Sequence, residues 1–86
     1  MASEISNRAE IDPRAKIGNN CKIYPFAYIE GDVVIGDDCV IYPFVSIMNG
    51  TRMGNGNTIY NIYNTKIYRM QETVLRGKFI TISAYN

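Results

Sequence analysis

An isoleucine, once a methionine, recurs at every sixth position from Ile5 to Ile59: Ile5, Ile11, Ile17, Ile23, Ile29, Ile35, Ile41, Ile47, Met53 and Ile59. Four residues after nearly every member stands a second small or branched side chain: Ala9, Ala15, Cys21, Ala27, Val33, Cys39, Val45 and Thr51. A period of six is neither the repeat of an amphipathic helix nor the strict alternation of a flat strand. It is the period of a parallel β-helix, in which each turn of the solenoid presents the same inward positions. The pattern therefore predicts an all-β fold, a left-handed parallel β-helix of hexapeptide repeats with about three triangular coils.

A longer repeat encloses the short one. Residues 17–34 read IGNNCKIYPFAYIEGDVV, residues 35–52 read IGDDCVIYPFVSIMNGTR, and residues 53–65 read MGNGNTIYNIYNT. Three hexapeptides make one coil, with a short strand on each side of the triangle. Gly18, Gly36 and Gly54 fall at the same place in successive coils. A glycine there suits a corner that needs either a positive φ or a close approach of two backbones. The pairs that follow, Asn19-Asn20, Asp37-Asp38 and Asn55-Gly56, are residues that accept turns.

The hexapeptide domain is expected to span residues 5–60. Beyond it the sixth positions are Thr65, Gln71 and Gly77, none of them a core aliphatic. Residues 61–86 read as a divergent tail: either an excursion that ends in a short strand, or an end unlike the rest. Residues 70–76 suit one helical turn. Residues 78–85 alternate like a strand, with Ile80, Ile82 and Ala84 on one face.

Eighty-six residues make one small domain. A compact globule of that size is marginal, but a solenoid buries each coil against the next. The formal charge of +1 gives no reason to expect nucleic acid or an anionic membrane as partner. No apolar run is long enough for a transmembrane helix, and the polar, acid-containing first ten residues do not resemble a targeting peptide. A cytoplasmic location is the resulting expectation. Cys21 and Cys39 share one repeat position, which suits two reduced core thiols rather than a disulfide. Asn49-Gly50-Thr51 matches a glycosylation sequon, read here as accidental in a chain without a secretory signal.

Candidate chemistry is sparse. The chain has no histidine, which removes a histidine base, Ser-His or Cys-His nucleophiles and histidine-based zinc sites. The same lack excludes a γ-type carbonic anhydrase, which builds its zinc site from histidines on this kind of solenoid. The carboxylates Asp32, Asp37 and Asp38 are expected at exposed corners, without a metal. No cofactor is expected. The more informative feature is outward and aromatic: Tyr24, Pro25, Phe26 and Tyr28, then Tyr42, Pro43 and Phe44, then Tyr60 and Ile62. Stacked ladders of this kind stabilise strands. Exposed apolar patches also mark contacts between subunits. Tyr24, Phe26, Tyr42 and Phe44 are the candidate oligomer interface.

Three stretches resemble a known family. They are Ile11-Asp12-Pro13-Arg14-Ala15-Lys16-Ile17-Gly18, Ile23-Tyr24-Pro25-Phe26-Ala27-Tyr28-Ile29 and Val34-Ile35-Gly36-Asp37-Asp38-Cys39-Val40-Ile41. With the turn and coil Asn49-Gly50-Thr51-Arg52-Met53-Gly54-Asn55-Gly56-Asn57-Thr58-Ile59-Tyr60, they look like the first coils of the acyl carrier protein-dependent UDP-N-acetylglucosamine O-acyltransferases of lipid A biosynthesis. That resemblance implies a cytosolic homotrimer that moves a 3-hydroxyacyl chain from acyl carrier protein to UDP-N-acetylglucosamine, with a histidine base and no metal. The family's catalytic histidine lies in later coils, so no catalytic residue is carried over. The chain is expected to be inactive alone. The other reading is a non-catalytic hexapeptide scaffold that self-associates or binds a partner.

Overall fold

The computed structural model describes residues 2–60, together with the backbone of three two-residue strands further along the chain. Each hexapeptide contributes a two-residue strand and a four-residue corner. The strands are β1 (Glu4–Ile5), β2 (Glu10–Ile11), β3 (Lys16–Ile17), β4 (Lys22–Ile23), β5 (Tyr28–Ile29), β6 (Val34–Ile35), β7 (Val40–Ile41), β8 (Ser46–Ile47), β9 (Arg52–Met53) and β10 (Thr58–Ile59). In each, the first residue points outward and the periodic isoleucine or methionine points inward, as a pleat requires of neighbours.

All pairing is parallel and runs from coil to coil. Three sheets result, in the orders β1-β4-β7-β10, β2-β5-β8 and β3-β6-β9. Register is strict: Ile5 faces Ile23, Ile23 faces Ile41 and Ile41 faces Ile59. Ile17, Ile35 and Met53 form another inward column. The architecture is therefore the parallel β-helix that the period of six predicts.

The core is the inside of the triangle. Ile23, Ile29, Ile35, Ile41, Ile47 and Ile59 are buried there, with Ala27, Val33 and Val45 filling the corners behind them. Burying such a side chain contributes roughly 1.5–3 kcal/mol, which stacked coils supply without a thick globule. In the first coil Ile11 and Ile17 are only partly covered, and Ile5 is exposed.

Many of the corners share one backbone feature. The third residue of the corner takes a positive φ at Asn20, Asp38, Gly50 and Gly56, all residues that tolerate it. Gly18 and Gly36 are not in that region. Their requirement is close approach: a β-carbon on Gly18 would lie 2.7 Å from the Gly36 backbone. Of the two reasons the sequence offers for these glycines, the second applies.

Further along, β11 (Lys66–Ile67), β12 (Lys78–Phe79) and β13 (Ser83–Ala84) extend two of the sheets. β11 pairs with β8, β12 with β10 and β13 with β11, all parallel. Lys66 faces Ser46, two residues beyond a full coil. The helical turn expected at residues 70–76 lies outside the described residues.

Candidate functional site

The aromatic residues singled out in the sequence lie mainly at one corner, between the β1-β4-β7-β10 sheet and the β2-β5-β8 sheet. Tyr24-Pro25-Phe26 follows β4, Tyr42-Pro43-Phe44 follows β7, and Tyr60 follows β10. The chain turns there because proline fixes φ near the value a turn needs at its second position. Backbone bonds hold the corners at constant height. The Phe44 N–H donates to the Phe26 carbonyl at 3.2 Å, and the Phe26 N–H donates to the Arg8 carbonyl at 3.2 Å.

Two ladders of rings result. Tyr24 stacks on Tyr42 with centroids 4.7 Å apart, and Tyr42 on Tyr60 at 4.6 Å. Phe26 stacks on Phe44 at 5.4 Å. Lys22 Nζ lies 5.0 Å from the centre of the Tyr24 ring and 3.8 Å from Glu4. The tyrosines are half-buried, and burial against its neighbours raises the Tyr42 phenol above its ordinary pKa.

The phenylalanines differ. Phe26 is 52% exposed and Phe44 60% exposed. Both also take a positive φ, 69° and 64°, whereas the other described residues with a positive φ are Asn20, Asp38, Gly50 and Gly56. A bulky side chain in that region costs about 1–2 kcal/mol. Neither the backbone nor water favours phenylalanine here. The stacking of one ring on the other recovers roughly 0.5–1.5 kcal/mol, shared between two strained residues. Tyr28 is not part of this corner. It projects from β5, and its hydroxyl donates to Glu30 at 3.1 Å. The sequence groups the four candidates with Tyr28 on one face, whereas the structure gathers Tyr24, Phe26, Tyr42 and Phe44 at the corner and leaves Tyr28 beside it. Ile62 lies outside the described residues.

A concavity of about 350 Å³ lies at the next corner along the coil and is lined by Glu10, Asp12, Arg14, Tyr28, Glu30 and Asn49 among others. Most of its charges are already engaged. Arg14 donates two hydrogen bonds to the Asp12 carboxylate, both at 3.0 Å, and holds that carboxyl down to a pKa of about 2. Glu30 accepts from the Asn49 N–H at 2.8 Å and from Tyr28. Asp32 is paired with Arg52 at 2.7 Å. Asp37 accepts the Asn19 N–H at 2.8 Å, and Asp38 accepts the Asn20 side-chain amide at 2.7 Å. Asp32, Asp37 and Asp38 sit at exposed corners, as expected, and bond across to neighbouring coils. Among the described residues no group of His, Cys, Asp and Glu is placed to hold a metal.

The cysteines are structural. Cys21 donates to the Gly36 carbonyl at 3.1 Å and Cys39 to the Gly54 carbonyl at 3.2 Å. Ser3 does the same toward Gly18 one coil earlier, at 2.8 Å. The shared role is a small side chain with a donor that reaches the carbonyl of the next coil's glycine. Burial pushes the Cys39 thiol up to about 11, the opposite of an activated nucleophile.

Sequence reasoning missed the strain at Phe26 and Phe44. The signal was available: Asn20 and Asp38 occupy the equivalent position of another corner, and glycine takes it at 50 and 56. It also missed the pairing of Arg14 with Asp12, which their two-residue spacing across Pro13 permits. No helix among the described residues is long and apolar enough to cross a membrane. The family described as bacterial transferase hexapeptide (six repeats) matches residues 14–49 and 32–61, together more than half of the chain. No curated protein and no solved structure matches it.

Proposed function

We propose that this chain, which belongs to the bacterial transferase hexapeptide family, provides opening coils and a subunit contact of a sugar-nucleotide O-acyltransferase and not its proton-accepting base. The observation that carries the contact is the pair Phe26 and Phe44: exposed, stacked, and held in a backbone region unfavourable to them. Strain of this kind persists where a function selects the side chain, and an apolar ring in water is covered when a second surface meets it. A homotrimer, with the aromatic corner of each copy against its neighbour, covers the rings of every copy at once.

The finer reading rests on the resemblance of the Ile11-Asp12-Pro13-Arg14-Ala15 stretch and the Asn49-Gly50-Thr51 turn to acyl carrier protein-dependent UDP-N-acetylglucosamine acyltransferases. The substrates, the trimer and the cytoplasmic setting come to this chain from that resemblance. Removing the proton from a sugar hydroxyl takes a positioned base that titrates near neutrality. These 86 residues contain no histidine. Their corner carboxylates are occupied by arginines, amides and backbone N–H groups. The chain alone is expected to give no turnover with an acyl carrier protein thioester and UDP-N-acetylglucosamine. Turnover that disappears in Asp38→Asn would overturn that part.

Sedimentation tests the contact. The wild-type chain is expected to be trimeric and the Phe26→Ser/Phe44→Ser variant monomeric. A wild-type monomer at high concentration, or a variant that keeps the wild-type assembly, would sink the reading. The alternative, a non-catalytic scaffold, is favoured by the engaged carboxylates and separates in a mixing experiment. A chain of the acyltransferase type is expected to form mixed trimers with a UDP-N-acetylglucosamine acyltransferase, visible in native mass spectrometry. A scaffold associates only with itself.

A further inference from the structure

Two corners carry an asparagine followed by glycine, Asn49-Gly50 and Asn55-Gly56. This dipeptide is chemically fragile, because glycine has no β-carbon to obstruct its own nitrogen. That nitrogen attacks the asparagine side-chain carbonyl carbon. A C–N bond forms to close a five-membered imide, the C–NH2 bond breaks, and the amide leaves as ammonia with the glycine proton. Water then opens the ring at either carbonyl, to give aspartate or isoaspartate. Solvent supplies the water, and no oxidant or reductant is involved.

The fold blocks this reaction in the same way twice. At the first corner the Gly50 N–H donates to the Asp32 carbonyl at 2.7 Å, while Asn49 Oδ1 accepts the Asp32 N–H at 2.8 Å. At the second the Gly56 N–H donates to the Asp37 carbonyl at 2.8 Å, while Asn55 Oδ1 accepts the Asp37 N–H at 2.7 Å. In both cases the attacking nitrogen and the carboxamide are fastened to opposite ends of one aspartate in the preceding coil. Neither can turn toward the other while the coils stay together. Water is not the obstacle, since Asn49 and Asn55 are exposed.

We propose that Asn49 and Asn55 are latent deamidation sites, kept unreactive by the coil-to-coil bonds and released when a coil opens. The two products have different fates. An ordinary aspartate in place of Asn55 fits its slot, because Asp37 holds the equivalent place one coil earlier and accepts the Asn19 N–H at 2.8 Å. Isoaspartate adds a methylene to the main chain between β9 and β10, or between β8 and β9 when it forms from Asn49, and so moves the next strand out of register. A transient opening thereby becomes a permanent one.

The test incubates the full chain at mildly alkaline pH, with and without denaturant, and follows amide-to-acid conversion by peptide mapping and isoaspartate assay. In denaturant both sites are expected to convert as fast as synthetic peptides of residues 46–53 and 52–59. In the native chain both are expected to be slower by about tenfold or more, because only the open fraction reacts. Equal rates in native and denatured chain overturn the proposal. The folded but less stable Ile35→Val variant is expected to convert faster than wild type at both sites, and conversion indifferent to that destabilisation also overturns it. On return to native conditions, isoaspartate is expected in the unfolded fraction and the ordinary aspartate product of Asn55 in the refolded one. Isoaspartate evenly shared between the two fractions contradicts the proposed fate.

Discussion

Gly36 lies directly against Gly54 of the next coil, so close that a β-carbon on Gly36 would stand 2.8 Å from the Gly54 carbonyl carbon. The obstacle is main chain that a strand on either side holds in place. Gly36→Ala is therefore expected to cost about 1–3 kcal/mol, the usual penalty of overpacking. Gly31 is a control with the same shortage of space and a different neighbour. The atoms nearest to a β-carbon there belong to the exposed Arg14 guanidinium, at 2.7 Å, the far end of a side chain that can move. Gly31→Ala is expected to stay within about 0.5 kcal/mol of wild type. Denaturant unfolding of the two variants checks the order, and equal losses would contradict the main-chain argument.

Ile35 sits mid-column, between Ile17 and Met53, and is buried. Ile35→Asp is expected to abolish the fold, because a buried carboxylate without a partner costs several kcal/mol in a chain of marginal stability. Circular dichroism of the variant reads the outcome. A variant that retains the wild-type strand signal and a cooperative melt would show that this column is not the core.

The acid limb of stability carries the signature of Arg14. Asp12 titrates at about 2 in the folded chain instead of its usual 3.8, because the Arg14 side chain and backbone N–H donate to it. A depressed carboxylate contributes stability that is present above its unfolded value and lost as pH falls toward its folded one. The contribution is thus expected to fade between 3.8 and about 2. In Arg14→Gln, which keeps the backbone N–H bond but loses the guanidinium, the Asp12 carboxyl is expected to titrate higher than in the wild type, followed by carboxyl NMR. An Asp12 titration unchanged by this substitution would remove Arg14 as the cause.

Cys39 is expected to resist thiol reagents in the folded chain. Its pKa is pushed up to about 11, so little thiolate exists near neutrality, and its sulfur is buried against the Gly54 carbonyl. Labelling with an aromatic disulfide should wait for coil opening and accelerate with denaturant. Labelling of native chain at the rate of a free small thiol would refute this account.

The solenoid is legible in the sequence because inward positions admit few residue types, and Ile23, Ile29, Ile35, Ile41 and Ile47 repeat almost without exception. Corners are less legible. Asp37 and Asn55 solve one problem by the same bond, each side chain accepting a backbone N–H, but only coordinates show that the bond crosses to the preceding coil. The aromatic candidates were visible as a repeat. Their position at a corner was not, since a hexapeptide period does not mark where a side of the triangle ends. Past Ile59 the strict count of six arrives at Thr65. The strand lies at Lys66–Ile67, opposite Ser46–Ile47. β11 and β12 both pair two residues beyond a full coil, and a fixed period cannot follow that shift.

The register of Glu4 with Lys22, Lys22 with Val40 and Val40 with Thr58 means that each strand's partner in the next coil lies eighteen residues away. No described strand pair within residues 2–60 has to wait for a distant part of the polypeptide. Loop-closure entropy is met in equal small instalments, and each finished coil is a template for its successor. Such a chain can acquire its shape while it is still being synthesised, one turn of the triangle at a time, without first sampling a collapsed whole. The same arithmetic sets the direction of failure, since the coil with only one neighbour is the first to leave.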